Sequence, residues 1–384
     1  VNSTRTLLIQ LLLFVLTVIS TSLAGAEWMF GRPFDLPFFQ IENPLGWEHF
    51  WQGFQFSIPF LGILTAHEFG HYFAAKYHKV RVTLPYYIPL WLGIGQTIGT
   101  LGAFIRIKEF IRSRKKYFDI GVAGPLAGFV VALGVLWYGF THLPTLDYIF
   151  KIHPEYQKYG MGFARVVYTK NQSGNILLGD NLLFSFFKNY VADPTRLPPP
   201  QEIMHYPLLL AGYLALFFTS LNLIPIGQLD GGHILYGLIG NKKFRIVSPI
   251  LFFVFITYAG LGSYRPQEFA IANDGKFWEL FASLVIYTFF LQLCYSRIDE
   301  ENPLTKWMLA LLSVTIQLVI SYFFPTTDGY SSFLLFGFLI GRVLGVYHPP
   351  TDDIVPLSTS RKIVGWLALI IFVLCFSPKP FIIL

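Results

Sequence analysis

Residues 65–72 read Thr-Ala-His-Glu-Phe-Gly-His-Tyr, an H-E-x-x-H pattern inside an apolar run. On a helix His67 and His71 lie one turn apart on one face, with Cβ atoms about 5–6 Å from each other. That separation lets both imidazoles reach one tetrahedral zinc ion at ~2.0–2.1 Å per bond. Glu68 projects from a neighbouring face, close to the position such an ion leaves open. There it can take a proton from a metal-bound water and pass it to a leaving group. Three buried polar residues bonded to one another are the bland alternative, but two His and a Glu are expensive in lipid and an ion is the usual compensation. A catalytic zinc normally has three protein ligands and a water, and the best candidate for the third is Asp230. It lies in Leu221-Asn222-Leu223-Ile224-Pro225-Ile226-Gly227-Gln228-Leu229-Asp230-Gly231-Gly232-His233, where Pro and Gly break the helix. Lipid tolerates such backbone only where protein or a cavity surrounds it. An ionised Asp at that depth costs about 2.5–3.5 kcal/mol and calls for a cation. There is no C-x-x-C, and Cys294 and Cys375 sit in apolar runs as structural thiols.

The elements that must position these residues follow from composition. Of 384 residues, 54% are hydrophobic, 40 are Phe and only 13% are charged, about half the ~25% of soluble domains. Mean hydropathy is +0.53. The expected fold is an all-α polytopic membrane protein of about nine transmembrane helices. Its apolar runs cover 6–25, 50–77, 117–140, 205–226, 246–263, 277–296, 307–325, 332–347 and 363–384, the last ended early by Pro378 and Pro380. Between the second and third runs, Val80 to Leu84 and Ala103 to Ile107 are β-favouring and separated by Gly93, Gly95, Gly99 and Gly102. They predict a small membrane-associated hairpin or re-entrant segment. Residues 141–204 form an outer loop, in which Asn171-Gln172-Ser173 is more simply a chance tripeptide than a glycosylation acceptor. Three regions result: 1–49, a first span and outer loop; 50–240, a catalytic membrane core; and 241–384, additional spans.

The net charge of +6 points to topology rather than nucleic acid. With a cytoplasmic N-terminus, eighteen Lys and Arg fall in cytoplasmic segments, nine of them in 76–116, against four in short outer segments. The first run is expected to be an uncleaved span, although Ala24-Gly25-Ala26 resembles a cleavage site. Both the His-Glu run and the run leading to Asp230 then travel inward and end on the same side. Gly124 and Gly128, and later Gly341 and Gly345, are spaced for close helix approach. His233 is expected at a helix start beside the site, and His49 and His205 at the outer interface.

At this point the chain resembles the site-2 protease family of intramembrane zinc metalloproteases. The likeness rests on His67-Glu68-Phe69-Gly70-His71 and on Asn222-Leu223-Ile224-Pro225 followed by Leu229-Asp230-Gly231. Gly99-Thr100-Leu101-Gly102-Ala103-Phe104 and Ala123-Gly124-Pro125-Leu126-Ala127-Gly128 reinforce it. The resemblance covers roughly residues 50–240 and implies hydrolysis of peptide bonds in or near transmembrane segments. It implies His67, His71 and Asp230 as ligands of one catalytic Zn²⁺, Glu68 as base, and Asn222 as a substrate-binding or oxyanion-stabilising residue. The implied partners are single-span membrane proteins trimmed beforehand by another protease, together with the lipid bilayer. The 141–204 loop is too small for the PDZ domain that some members carry. The chain therefore resembles the PDZ-free branch of bacteria, archaea and chloroplasts, and a bacterial inner membrane is the expected location. The alternative is a metal-binding transporter or a non-catalytic scaffold. Transporters tend to string ionisable residues along a path, whereas here they converge at one depth and Glu68 is retained.

Overall fold

The computed structural model describes residues 4–36, 43–93, 97–170, 176–352 and 355–383. Asn171 to Ser173 lie outside them. In chain order the principal elements are α1 (Thr4–Phe30), α2 (Phe54–Tyr77), β1 (Tyr86–Leu90), β2 (Gly99–Phe104), α3 (Arg114–Thr141), β3 (Ile176–Leu178), α4 (Pro207–Leu223) and α5 (Asp230–Ala259). After them come α6 (Asp274–Cys294), α7 (Pro303–Phe323), α8 (Phe333–Phe338, continuing as π-helix Leu339–Leu344), α9 (Thr359–Cys375) and β4 (Phe381–Ile383). Each of the nine apolar runs coincides with a helix. Among the described residues only α1, α3, α6 and α7 are long and apolar enough to cross a bilayer. The count of nine spans is therefore not confirmed. His67, Glu68 and His71 lower the hydropathy of α2, α4 and α9 have only 17 residues each, and α5 is two helices joined at Gly240 (φ 77°). As expected, helix α9 stops at Cys375, before Pro378 and Pro380.

The chain forms two compact units. The first holds 1–111, 122–222 and 370–384. In α1 the hydroxyls of Thr17, Thr21 and Ser22 donate to carbonyls one turn back at 2.7–2.8 Å. Polar side chains are thereby satisfied inside an apolar helix. Thr21 also meets the Ser57 hydroxyl of α2 at 2.7 Å. The two helices approach closely because Gly25 and Gly53 carry no Cβ; one on Gly25 would come within 2.8 Å of Phe56. The other face of α1 is bare, with Leu8, Leu11 and Leu12 exposed, as a lipid-contacting face must be. The core runs from Trp28, Phe56 and Phe60 through Leu136 and Phe140 to Tyr213 and Leu214.

The expected hairpin is present, with both arms displaced toward its turn: β1 lies at 86–90 rather than 80–84, and β2 at 99–104 rather than 103–107. β1 pairs antiparallel with β2, Tyr86 opposite Phe104 and Leu90 opposite Gly99, with an irregularity between Tyr87 and Pro89. Pro85 interrupts the run that begins at Val80. That run joins by a bridge from Val82 to Ile107 and by backbone bonds Thr83 to Arg106 and Lys108 to Arg81 rather than as part of the ladder. Gly99 adopts φ 84°, and a Cβ there would overlap the backbone of α1 at Ser20 and Thr21. Ser20 donates to the Gly99 carbonyl at 2.6 Å. A second antiparallel pair joins β3 to β4.

The second unit holds 112–121 and 223–369. Arg361 grips Asp119 through two bonds of 2.7 and 2.9 Å, the bidentate geometry that makes such a pair specific. Arg114 donates twice to the Gly237 carbonyl, at 3.1 and 2.8 Å. It thereby caps the first half of α5 where the chain breaks at Gly240. Gln317 of α7 donates to the Thr257 carbonyl of α5 and accepts from Tyr287 of α6. Cys294 and Cys375 are free, buried thiols, as expected.

Candidate active site

Helix α2 carries His67, Glu68 and His71 on its buried side, each under 9% exposed. The Nε2 atoms of the two imidazoles lie 3.0 Å apart, with rings 4.8 Å between centroids at 74°. Two nitrogens bound to one tetrahedral zinc at ~2.0–2.1 Å would stand about 3.3 Å from each other, so the pair fits a shared ion. Room for the rings comes from α3. A Cβ on Gly124 would overlap the His71 imidazole, and one on Gly128 would come to 3.0 Å from His67 Cβ. Gly70 of α2 is tight in return: a Cβ there would fall 2.9 Å from the Ala123 carbonyl carbon. The glycine spacing expected for helix approach thus has a second use, invisible in a pattern: it makes space for two ligand side chains.

Asn222, near the end of α4, places its amide nitrogen 3.5 Å from His67 Nε2. Beside this contact lies an apolar cleft lined by Phe60, Leu64, Phe218, Thr219 and Asn222, with His67 in its wall. Among the sequence-derived candidates, the first unit therefore brings together His67, His71 and Asn222, with Glu68 on the same helix.

Asp230 belongs to the second unit, where it opens α5 and is half buried. Residues 224–229 form the reversal that precedes it. Ile226 N–H donates to Ile224 O at 2.8 Å, and Gly227 (φ 60°) donates to Ser248 Oγ at 3.0 Å. A Cβ on Gly231 would overlap the Leu223 carbonyl, and one on Gly232 would fall 2.7 Å from Ile226 O. The two glycines after Asp230 let the chain fold back on itself. His233, at the helix start as expected, lies 5.2 Å from Tyr117 as a stacked ring and bonds His348 through Nδ1 at 2.8 Å. His205 is only 5% exposed, with Nδ1–H donating to Met29 O at 2.8 Å.

A membrane protein with paired histidines and a glutamate on one helix is thereby defined. The chain belongs to peptidase family M50, whose model matches residues 55–259. Curated relatives include the rice (Oryza sativa subsp. japonica) protein named "Probable zinc metalloprotease EGY1, chloroplastic". It is 30% identical over 61% of this chain and 38% of its own length. The Arabidopsis thaliana protein of the same name is 27% identical over 83% of this chain and 53% of its own. A rice (subsp. indica) "Probable zinc metalloprotease EGY2, chloroplastic" is 27% identical over 68% and 42%. The chain spans about two-fifths to one-half of the length of these relatives. No solved structure matches it. The relatives are chloroplastic, so the bacterial inner membrane expected from sequence finds no support in them.

Proposed function

We propose that the chain is a zinc-dependent intramembrane endopeptidase in which His67, His71 and Asp230 hold one zinc ion. Glu68 is the catalytic base, and Asn222 engages the substrate. The observation that carries this reading is the pair of Nε2 atoms 3.0 Å apart on the buried side of α2. Glu68 lies between them in sequence, and all three fall in the region matched to the family. Support for Asp230 comes from chain connectivity. It follows Asn222 by eight residues, the intervening turn is compact, and Asn222 itself reaches His67.

When bound, zinc supplies a Lewis acid and lowers the pKa of its water. The side chains do the rest. His67 and His71 present neutral nitrogens, and the Asp230 carboxylate offsets part of the positive charge. Glu68 accepts the proton of the attacking water and delivers it to the departing amine. The Asn222 amide, beside His67, would donate to the substrate carbonyl. The cleft lined by Phe60, Leu64 and Phe218 suits an apolar segment, which supports single-span membrane proteins as substrates; their prior shortening by another protease is carried over from the family resemblance. The bias of basic residues supports a cytoplasmic-type face for the N-terminus and the zinc helix.

The test is purified full-length protein beside Glu68→Gln, given a panel of single-span substrates, with zinc measured in both. Cleavage should fall at least 10²–10⁴-fold, the usual contribution of a general base, with zinc content unchanged. Equal cleavage by the variant, or a parent without zinc, overturns the assignment.

A further inference from the structure

The loop between α3 and α4 gathers a second set of ligand-type side chains. His153 ends a short helix, Ile149–Ile152. Glu202 and His205 occupy the 3₁₀ helix Pro200–His205 that follows Pro198 and Pro199. A 3₁₀ helix has three residues per turn, so positions i and i+3 are eclipsed. Glu202 and His205 therefore project side by side. His153 arrives from 52 residues away to face them.

The three donor atoms converge. His153 Nε2 and His205 Nε2 are 3.4 Å apart, and Glu202 Oε2 stands 3.9 and 3.5 Å from them. Ligand atoms around one tetrahedral zinc lie about 3.3–3.5 Å from each other. The other end of each side chain is already committed. His205 Nδ1–H donates to the Met29 and Trp28 carbonyls at 2.8 and 3.1 Å, and His153 Nδ1–H donates to Glu155 Oε1 at 3.2 Å. Those bonds fix both tautomers with Nε2 bare and turned inward, the arrangement that orients metal-binding histidines. Glu202 Oε1 accepts from Tyr168, while Oε2 is fully buried with no hydrogen-bond donor. An ionised carboxylate oxygen left this way is costly.

We propose that His153, Glu202 and His205 form a second binding site for a divalent metal ion, with zinc the best match to two imidazoles and one carboxylate. The ion would tie the loop to the end of α1, where His205 is anchored at Met29. It would stabilise the carboxylate form of Glu202 and give Oε2 its missing partner. This site is independent of the one on α2.

The experiment counts metal per chain in the full-length protein equilibrated with zinc and then dialysed, using elemental analysis. A His67→Ala/His71→Ala variant should retain one zinc. Adding His153→Ala/His205→Ala should remove it. The loop pair alone, on the parent background, should lose one zinc and keep the other. Glu202→Gln, which preserves shape, guards against misfolding and should weaken zinc at the loop by more than tenfold in chelator competition. Cobalt loaded into the His67→Ala/His71→Ala variant should show the visible absorption of a tetrahedral site. A His67→Ala/His71→Ala protein that is folded yet binds no zinc overturns the proposal. So does zinc retention undiminished by the loop substitutions. If instead the loop variants lose zinc and the α2 variants lose none, the loop site stands and the catalytic reading falls.

Discussion

Two histidine pairs occur in one compact unit, and they are built in opposite ways. On α2 the imidazoles are four residues apart and the helix brings them together; the surroundings need only leave space, which Gly124 and Gly128 do. In the loop His153 and His205 are 52 residues apart, and tertiary packing must bring them face to face. The first pair is set by periodicity, the second by where a 3₁₀ turn and a short helix happen to meet. A helix-borne pair should therefore be sensitive to crowding, and a loop-borne pair to whatever loosens its anchors.

Among the changes that set one pair against the other, the largest effect should come from crowding α2. Gly124→Ala places a methyl group where the His71 ring now lies, and overpacking of this kind costs about 1–3 kcal/mol. Cleavage should fall about 10–100-fold and zinc on α2 should weaken, while zinc in the loop is untouched. Gly128→Ala, with 3.0 Å to His67 Cβ, should be milder in both measurements. If Gly124→Ala cleaves as well as the parent, the glycines serve helix approach alone and the contrast between the pairs loses half its basis.

Legibility in the sequence follows the same division. His67, Glu68 and His71 could be found because H-E-x-x-H is a local pattern with a geometric meaning. The nine apolar runs could be found because each is a helix, but spanning needs length as well as apolarity, and α4, α8 and α9 fall short. Both arms of the hairpin lie nearer its turn than the β-favouring runs suggest, because Pro85 follows β-branched Val80 and Val82 and the ladder forms beyond the proline. Nothing in Ile203-Met204-His205-Tyr206 announces that the Met29 carbonyl accepts a hydrogen bond from His205. Glu202 and His153 carried no signal at all. Their relationship exists only once Pro198 to Pro200 have turned the chain and α1 has supplied its carbonyl end.

Acid should expose the next difference. The folded pKa of His205, about 4, lies below the ordinary 6.5 because burial disfavours the charged ring. Outside the loop, His348 is likewise lowered to about 3, first by burial and then by His233. In the unfolded chain both take up a proton near pH 6.5, while in the folded chain they stay neutral. The stability they confer is complete above 6.5 and is lost as pH falls towards 4 and 3. Near pH 5 each such histidine has given up about 2 kcal/mol. Thermal unfolding in detergent from pH 7 to 5 should show a steep fall, flattened in His205→Gln and in His348→Gln. Only the His205 change should also remove the zinc dependence of the melting temperature in the His67→Ala/His71→Ala background. A pH slope unchanged in both variants would mean that neither ring is held neutral by its surroundings.

The smallest effect separates a ligand from its support. Glu155 does not face the other donor atoms of the loop; it accepts from His153 Nδ1 and is 59% exposed. Partners of this kind typically contribute 10–100-fold to metal affinity, and water competes for an exposed carboxylate, so Glu155→Gln should weaken loop zinc by about tenfold. The glutamine oxygen can still accept from Nδ1–H, but it lacks the charge that strengthens that bond. Glu155→Ala, which removes the acceptor as well, should therefore be weaker again. A ranking of parent, Gln and Ala in chelator competition, with zinc on α2 constant throughout, would mean that the histidine is held from behind. Equal affinity in all three would mean that stacking on Tyr156, 4.6 Å between ring centroids, is enough to aim it.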